Sequence, residues 1–276
     1  MAREGLRPKK RFGQCFLADT GLAARIAELA APGPPGTVVE IGAGLGALTR
    51  PLLERAQHVA AIERDRDLVP LLRQDFSVAL GAGRLHLVEA DALGVDWPAL
   101  AAGRPAPHTL AGNLPYSITG ALLERAVEGS AAFERCVFLV QLEVADRLVA
   151  PAGHPAYGAL SVFVGAPFVA RRAFIVRRGA FQPQPGVDSA VVVLERRERA
   201  LTAETSTFRA LVRAAFAQRR KTLRNAWGRL EHHPAAAIER SARAAGVRLD
   251  ARGETLDVAA FARMAASLDA GTGGAG

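Results

Sequence analysis

Asn113-Leu114-Pro115-Tyr116 combines residue types able to hold a flat, polar ring. The Asn113 amide oxygen and the Leu114 carbonyl can accept both hydrogens of one exocyclic amine, while Tyr116 stacks on the ring. Pro115 fixes its own φ and drives Leu114 into an extended conformation, so the turn is stiff. Taken alone, an ordinary strand-to-helix turn explains these four residues equally well. What precedes them along the chain shifts the balance.

Thr37-Val38-Val39-Glu40-Ile41 has the pattern of a buried strand and runs straight into Gly42-Ala43-Gly44-Leu45-Gly46, with a helix expected through Ala56. In a strand–turn–helix context a glycine-rich loop points to nucleotide binding. Gly42 and Gly44 let the backbone approach a ligand, and the following helix start offers unpaired N–H groups. The glycines fall at relative positions 1, 3 and 5, where a dinucleotide fingerprint has 1, 3 and 6. That spacing suits the loop of S-adenosylmethionine (SAM) enzymes, which need no pyrophosphate cradle, better than a dinucleotide loop.

A second strand, Val59–Ile62, ends on Glu63, 21 residues beyond Gly42, where a carboxylate can accept from ribose hydroxyls. A third, Leu85–Val88, leads to Asp91, placed to meet an adenine amine or to cap a turn. A fourth, Thr109–Ala111, delivers Asn113. Four strand ends thus bring polar or glycine residues to the carboxyl edge of one parallel sheet. No Ser/His/Asp or Cys/His nucleophilic set is evident, and transfer of an activated methyl group needs none.

The elements that must position these residues alternate strand and helix. A helix capped by Asp19 or Thr20 runs through Ala31, with Leu22, Ile26 and Leu29 on one face. Helices follow near Asp67–Val78 and Ser117–Gly129, with the strand Cys136–Val140 and an amphipathic helix at Gln141–Leu148. Phe168–Val176 and Val187–Leu194 suit an antiparallel hairpin at the sheet edge. In the intervening proline-stiffened loop, Phe181 is either a core residue or a second wall of a base pocket. From about residue 200 the pattern is helical, with Phe208, Leu211, Val212, Ala215 and Phe216 at helical period. The resulting division is 1–199 for the catalytic domain with a basic arm, 200–270 for a small helical domain, and 271–276 for a disordered tail.

The formal charge is +8, with Lys only at positions 9, 10 and 221. Lys9, Lys10 and Arg11 end a basic arm followed by Phe12, Phe16 and Leu17. Arg209, Arg213, Arg219, Arg220, Lys221, Arg224 and Arg229 occupy a 26-residue window without an acid, which points to a nucleic-acid face. Cys15 and Cys136 have no metal-ligand spacing, which implies a reducing compartment and no disulfide framework. A metal site at His232-His233 is disfavoured, and no metal is expected. No apolar run approaches the ~20 residues of a membrane span. No secretory signal pattern follows the basic N-terminus. A cytoplasmic protein without a membrane partner is expected.

Five stretches together resemble the ribosomal RNA adenine dimethyltransferase family, in particular its small-subunit (16S) branch. They are Lys10–Leu17, Val39–Gly46, Asn113–Tyr116, Phe181–Val191 and Arg219–Asn225, the last reading Arg-Arg-Lys-Thr-Leu-Arg-Asn. The resemblance implies a class I SAM-dependent methyltransferase fold: Rossmann-like α/β, with a mostly parallel seven-stranded sheet containing one antiparallel strand, plus a small all-α C-terminal domain. It implies SAM as methyl donor and dimethylation of two adjacent adenosines near the 3′ end of small-subunit rRNA. The expected partner is that rRNA within an assembling small ribosomal subunit, with the enzyme a monomer. By position, Gln14, Leu17, Gly42, Glu63, Asp91 and Asn113 would contact SAM. Cys15 stands where the family usually has Asn or His, Ala43 replaces a common proline, and Leu142 a usual basic residue. The alternatives are a large-subunit rRNA adenine methyltransferase of the antibiotic-resistance type, an RNA-binding assembly factor with incidental methylation, and a DNA adenine methylase.

Overall fold

A computed structural model of the chain describes residues 14–218, 220–230 and 233–272. Nine strands are β1 (Phe16–Leu17), β2 (Thr37–Ile41), β3 (His58–Glu63), β4 (Leu85–Glu89), β5 (His108–Asn113), β6 (Arg135–Gln141), β7 (Phe168–Val176), β8 (Phe181–Gln182) and β9 (Ser189–Arg196). Seven form one sheet in the order β4-β3-β2-β5-β6-β9-β7. The pairs β2–β3, β3–β4, β2–β5 and β5–β6 are parallel, whereas β9 runs against β6 with Ser189 opposite Gln141. This is the expected class I methyltransferase sheet. Every residue of β2 and β3 is buried, including Glu40 and Glu63, as expected of central parallel strands covered on both faces.

The helices are α1 (Thr20–Ala30), α2 (Thr49–Arg55), α3 (Val69–Asp75), α4 (Ser77–Gly81), α5 (Trp97–Ala101), α6 (Thr119–Glu128), α7 (Leu142–Val149), α8 (Ala159–Gly165), α9 (Ser206–Ala217), α10 (Leu223–Trp227), α11 (Ala235–Ala245) and α12 (Val258–Thr272). Asp19 caps α1, its carboxylate accepting from the Leu22 N–H at 3.0 Å. The buried face of α1 is Ala23, Ile26, Ala27 and Ala30, not Leu22-Ile26-Leu29; small residues bring the helix close, and the two leucines flank the contact half-buried. The single helix expected over 67–78 is two, broken at Phe76, whose ring is buried in the core. The fourth sheet strand runs on to Asn113, so that residue is pinned opposite Leu139 on β6.

Two compact units emerge. One holds residues 14–145 and Arg171–Glu195, the other Asp146–Ala170 and residues 196–272. The expected cut at 199/200 is therefore displaced: α8 and its approach belong with the C-terminal helices. Tyr157, Val162 and Phe163 share a core with Phe208, Trp227 and Phe261, and the Tyr157 hydroxyl donates to the Leu256 carbonyl at 2.8 Å. α12 continues through Thr272, so Gly271 and Thr272 of the expected 271–276 tail are helical; residues 273–276 lie outside those described.

Candidate active site

The carboxyl ends of β2, β3, β4 and β5 open onto one cavity of about 180 Å³. Its lining includes Gln14, Leu17, Gly42, Gly44, Glu63, Asp91, Asn113, Leu114 and Tyr116. Every residue assigned by sequence to the cofactor or the acceptor amine is thus brought together, with one exception. Phe181 is 3% exposed and pairs with Leu17 in the two-stranded ribbon of β1 and β8, inside the core cluster. The Ala18 N–H donating to the Ala180 carbonyl at 2.8 Å holds the ribbon shut. A strand pairing turned Phe181 inward, so it is a core residue and not a pocket wall.

The glycine loop uses Gly42, Gly44 and Gly46 at φ +77°, +59° and +78°, the left-handed region that glycine adopts without strain. Four of its N–H groups are turned toward the protein. Those of Gly42 and Ala43 donate to the Ile62 carbonyl, that of Gly44 to Glu63 Oε2 at 2.8 Å, and that of Gly46 to the Ala43 carbonyl. These four N–H groups are therefore not offered to a ligand, which disfavours a pyrophosphate and suits the expected loop that packs under a cofactor without one.

Glu63 is buried, and its second oxygen accepts from the Asp65 N–H at 2.8 Å. Burial raises its pKa, against the lowering by the N–H groups of Asp65 and Gly44. A carboxylate so anchored keeps further lone pairs for a ligand's hydroxyls. Asp91 caps a short 3-10 turn through the Leu93 N–H and pairs with Arg64 at 3.0 Å while still facing the cavity. Gln14 commits its Nε2 to Asp65 at 2.9 Å, so its first role is to tie the N-terminal segment across the cavity. Phe16 lies on the same segment, 3.2 Å from where a Gly44 Cβ would stand.

At the acceptor end, Asn113 Nδ2 donates to the Cys15 carbonyl at 2.8 Å, which leaves Oδ1 as the amide's acceptor atom. The Ile118 N–H and the Thr119 hydroxyl both bond the Pro115 carbonyl, so the turn closes without drawing on Leu114's oxygen. The Tyr116 hydroxyl is 2.8 Å from the hydroxyl of fully buried Ser189, and burial raises the phenol's pKa above its ordinary value.

Four contributors escaped sequence reasoning: Glu40, Asp65, Ser189 and the Cys15 carbonyl. Glu40 accepts from the Thr49 hydroxyl at 2.6 Å, and burial pushes its pKa up to about 7. A lone carboxylate within an apolar strand run was its visible signal. Asp65 stands two residues beyond Glu63, and Ser189 begins a strand; neither position announces its partner.

The chain matches the family model described as ribosomal RNA adenine dimethylase over residues 5–269. The chain belongs to the ribosomal RNA adenine dimethylase family. It is 45% identical over 267 residues to ribosomal RNA small subunit methyltransferase A of Magnetococcus marinus, covering 96% of this chain and 93% of that protein. To the like-named protein of Anaeromyxobacter sp. (strain K) it is 43% identical, covering 96% and 95%. Among solved structures it resembles the 23S rRNA methyltransferase ErmE at TM-score 0.68 and 30% identity, over 92% of this chain and 99% of that one. A dimethyladenosine transferase from Plasmodium falciparum shares the fold at TM-score 0.73 and 24% identity, over 90% and 95%. As a member of this family the chain is a SAM-dependent rRNA adenine dimethyltransferase.

Of the residues assigned to RNA, Lys9, Lys10, Arg11 and Arg219 lie outside the described residues. Arg220 and Lys221 are exposed, and Arg224 pairs with Glu239 at 2.5 Å. Arg209 likewise meets Glu204 at 3.1 Å. Acids from outside the window therefore offset part of its charge, and self-repulsion is weaker than the bare sequence implies. Among the described residues no group of three or more His, Cys, Asp or Glu could hold a metal, and no helix is long and apolar enough to cross a membrane.

Proposed function

We propose that this chain transfers methyl groups from SAM to the N6 amines of two adjacent adenosines near the 3′ end of small-subunit rRNA. The product is N6,N6-dimethyladenosine, made on an assembling small subunit in the cytoplasm. The relatives named for the small subunit, at 43–45% identity, favour this over the large-subunit reading, which rests on the 30% likeness to ErmE.

The observation that carries the chemistry is the bond from Asn113 Nδ2 to the Cys15 carbonyl. It orients the amide so that Oδ1, with the Leu114 carbonyl, can accept both N–H groups of an adenine amine. Those bonds favour a pyramidal nitrogen whose lone pair is no longer delocalised into the ring. Tyr116, held by Ser189, offers a face for stacking, a contact worth about 1–3 kcal/mol per base. The cavity residues also fit a cationic cofactor: Glu63 and Asp91 supply acidic groups, while Leu17, Leu45 and Ile62 supply apolar faces. SAM, when bound there, supplies a methyl already activated on sulfur. The protein's part is then positioning and electrostatics. Arg220 and Lys221, with the basic arm, are the proposed RNA contacts, and the enzyme is proposed to act as a monomer.

Incubation with labelled SAM and undermethylated small subunits or large subunits tests the reading. Label on two adjacent small-subunit adenosines is expected; label on the large subunit would replace it with the alternative. Asn113→Ala is expected to lower kcat on the order of 100- to 1000-fold, the range for removing one preorganised group at a reacting centre. SAM affinity should stay within about a few-fold, because the other cofactor contacts remain.

A further inference from the structure

We propose that Arg177 and Arg178 form a clamp for a phosphate of the RNA strand beside the acceptor adenosine. The clamp rests on the proposed reading that an RNA adenosine enters the Asn113–Tyr116 site.

Placement comes first. Ser189, which holds the Tyr116 hydroxyl, is preceded directly by Asp188, and Asp188 holds both arginines. Its Oδ2 accepts from Arg177 Nη1 at 2.7 Å and its Oδ1 from the Arg178 backbone N–H at 3.0 Å. The contacts run from the Tyr116 hydroxyl to Ser189, and from its chain neighbour Asp188 by hydrogen bonds to the arginines. In the proposed arrangement the phosphates next to a base delivered to Tyr116 lie at this point.

Rigidity comes second. The turn bearing the arginines is fixed at several points: Asp188 grips its start, the Ala180 N–H donates to the Arg177 carbonyl at 3.0 Å, and the Ala180 carbonyl accepts from Ala18. Preorganised donors lose little freedom on binding. Exposure is divided suitably: the Arg177 side chain is 85% exposed and that of Asp188 is 22% exposed. The acid sits inside as an anchor and the cations stand outside.

Charge and shape come third. Arg177, Arg178, Gly179, Gln184, Gly186 and Asp188 line a shallow depression of about 550 Å³. Two cations against one acid leave it net positive, and the Arg178 N–H and the Arg177 side chain hold the Asp188 carboxyl below its usual range, so it remains ionised. Arg177 spends one of its five N–H donors on Asp188. The rest, with the Arg178 guanidinium, suit the forked geometry of a phosphate. The two glycines keep the floor low enough for a backbone to approach.

The test compares wild type, Arg177→Ala/Arg178→Ala and Arg177→Lys/Arg178→Lys on small subunits, with kcat/KM followed across salt. Loss of one phosphate contact should flatten the slope of log(kcat/KM) against log[salt] by about 0.7. At moderate salt the alanine pair should lose about 10-fold in kcat/KM, which is about 1.4 kcal/mol. The lysine pair should retain most of the slope. SAM affinity and melting temperature should not change. The same slopes for binding a short single-stranded oligoribonucleotide test the clamp whichever RNA is methylated. If wild type fails to label small subunits, the functional reading falls while the binding slopes still decide the clamp. Unchanged slopes in both assays overturn it. A fall in kcat/KM at constant slope also overturns it, and would assign the arginines to a protein surface of the subunit.

Discussion

Removing the Ser189 hydroxyl isolates how much of the chemistry depends on a fixed Tyr116 ring. Ser189 is fully buried and Tyr116 half-buried, and their hydroxyls meet at 2.8 Å. Ser189→Ala deletes one hydrogen bond, with a net effect of about 0.5–1.5 kcal/mol, and leaves the phenol without that partner. For a unit of this size, a loss of about 1 kcal/mol lowers Tm by roughly 2–4 °C. The kinetic effect should be separable. A ring free to tilt no longer holds the base at the reacting distance, so kcat should fall about 10-fold, equivalent to ~1.4 kcal/mol. SAM affinity should be unchanged, because Ser189 does not line the cofactor cavity. The role expected of Ser189 is that of a positioning residue, and the decisive assay is a double-mutant cycle with Tyr116→Phe, which removes the same bond from the other side. Single-turnover methylation by the two single variants and the double variant should be slowed to a similar extent. Fully additive effects, or a lowered Tm with intact kcat, would refute the reasoning.

Two further expectations concern the cofactor floor. Glu40 has its folded-state pKa raised to about 7 from 4.5, chiefly by burial, so the folded protein binds a proton more tightly than the unfolded chain. Stability should therefore fall as pH rises from about 4.5 through 7, by on the order of 3 kcal/mol, and stay low above that window. Glu40→Gln keeps an acceptor for Thr49 and should remove this slope; urea unfolding at pH 5 and pH 8 checks it, and an equal wild-type-to-variant difference at both pH values would exonerate Glu40. Gly46→Ala would place a Cβ 2.5 Å from the Phe76 ring at φ +78°. Strain and overpacking together should cost roughly 2–4 kcal/mol, read as a lower denaturation midpoint with weakened SAM binding.

Much of this architecture is legible in the chain because strand ends announce themselves. Apolar runs that stop on Gly42, Glu63, Asp91 and Asn113 can meet only at the carboxyl edge of a parallel sheet, and the cavity joins all four. What stayed hidden depends on long-range partners. Phe181 reads as a displayed aromatic until its pairing with Leu17 is known, and a two-residue ribbon such as β1–β8 has no sequence period. That the loop N–H groups are committed to Ile62 and Glu63 depends on the pairing of β2 with β3. The Cys15 carbonyl is a backbone atom 98 residues from Asn113, and no side-chain pattern can signal it. The division into units fails for a related reason: Tyr157 and Phe163 are apolar residues that could serve either core, and only packing assigns them.

The geometry at Asn113 bears on how two methyls are added to one nitrogen. On the proposed reading, the adenine amine begins with two N–H groups, matched to Asn113 Oδ1 and the Leu114 carbonyl. Neither acceptor can follow a changing substrate: Nδ2 is tied to Cys15, and the Leu114 N–H is tied to the Leu139 carbonyl at 3.1 Å. After one transfer, with the sulfur leaving as the thioether and one N–H proton lost to water, a single N–H remains and one acceptor is given up, at a net loss of about 1 kcal/mol. That is small enough for the base to stay stacked on Tyr116 and be methylated again. After the second transfer no N–H remains, and two fixed acceptors are left facing methyl groups, each at about 1–3 kcal/mol if water is excluded. If the proposed roles hold, the fixed acceptors that favour the first methylation tolerate the second and then disfavour the finished product, which promotes its release.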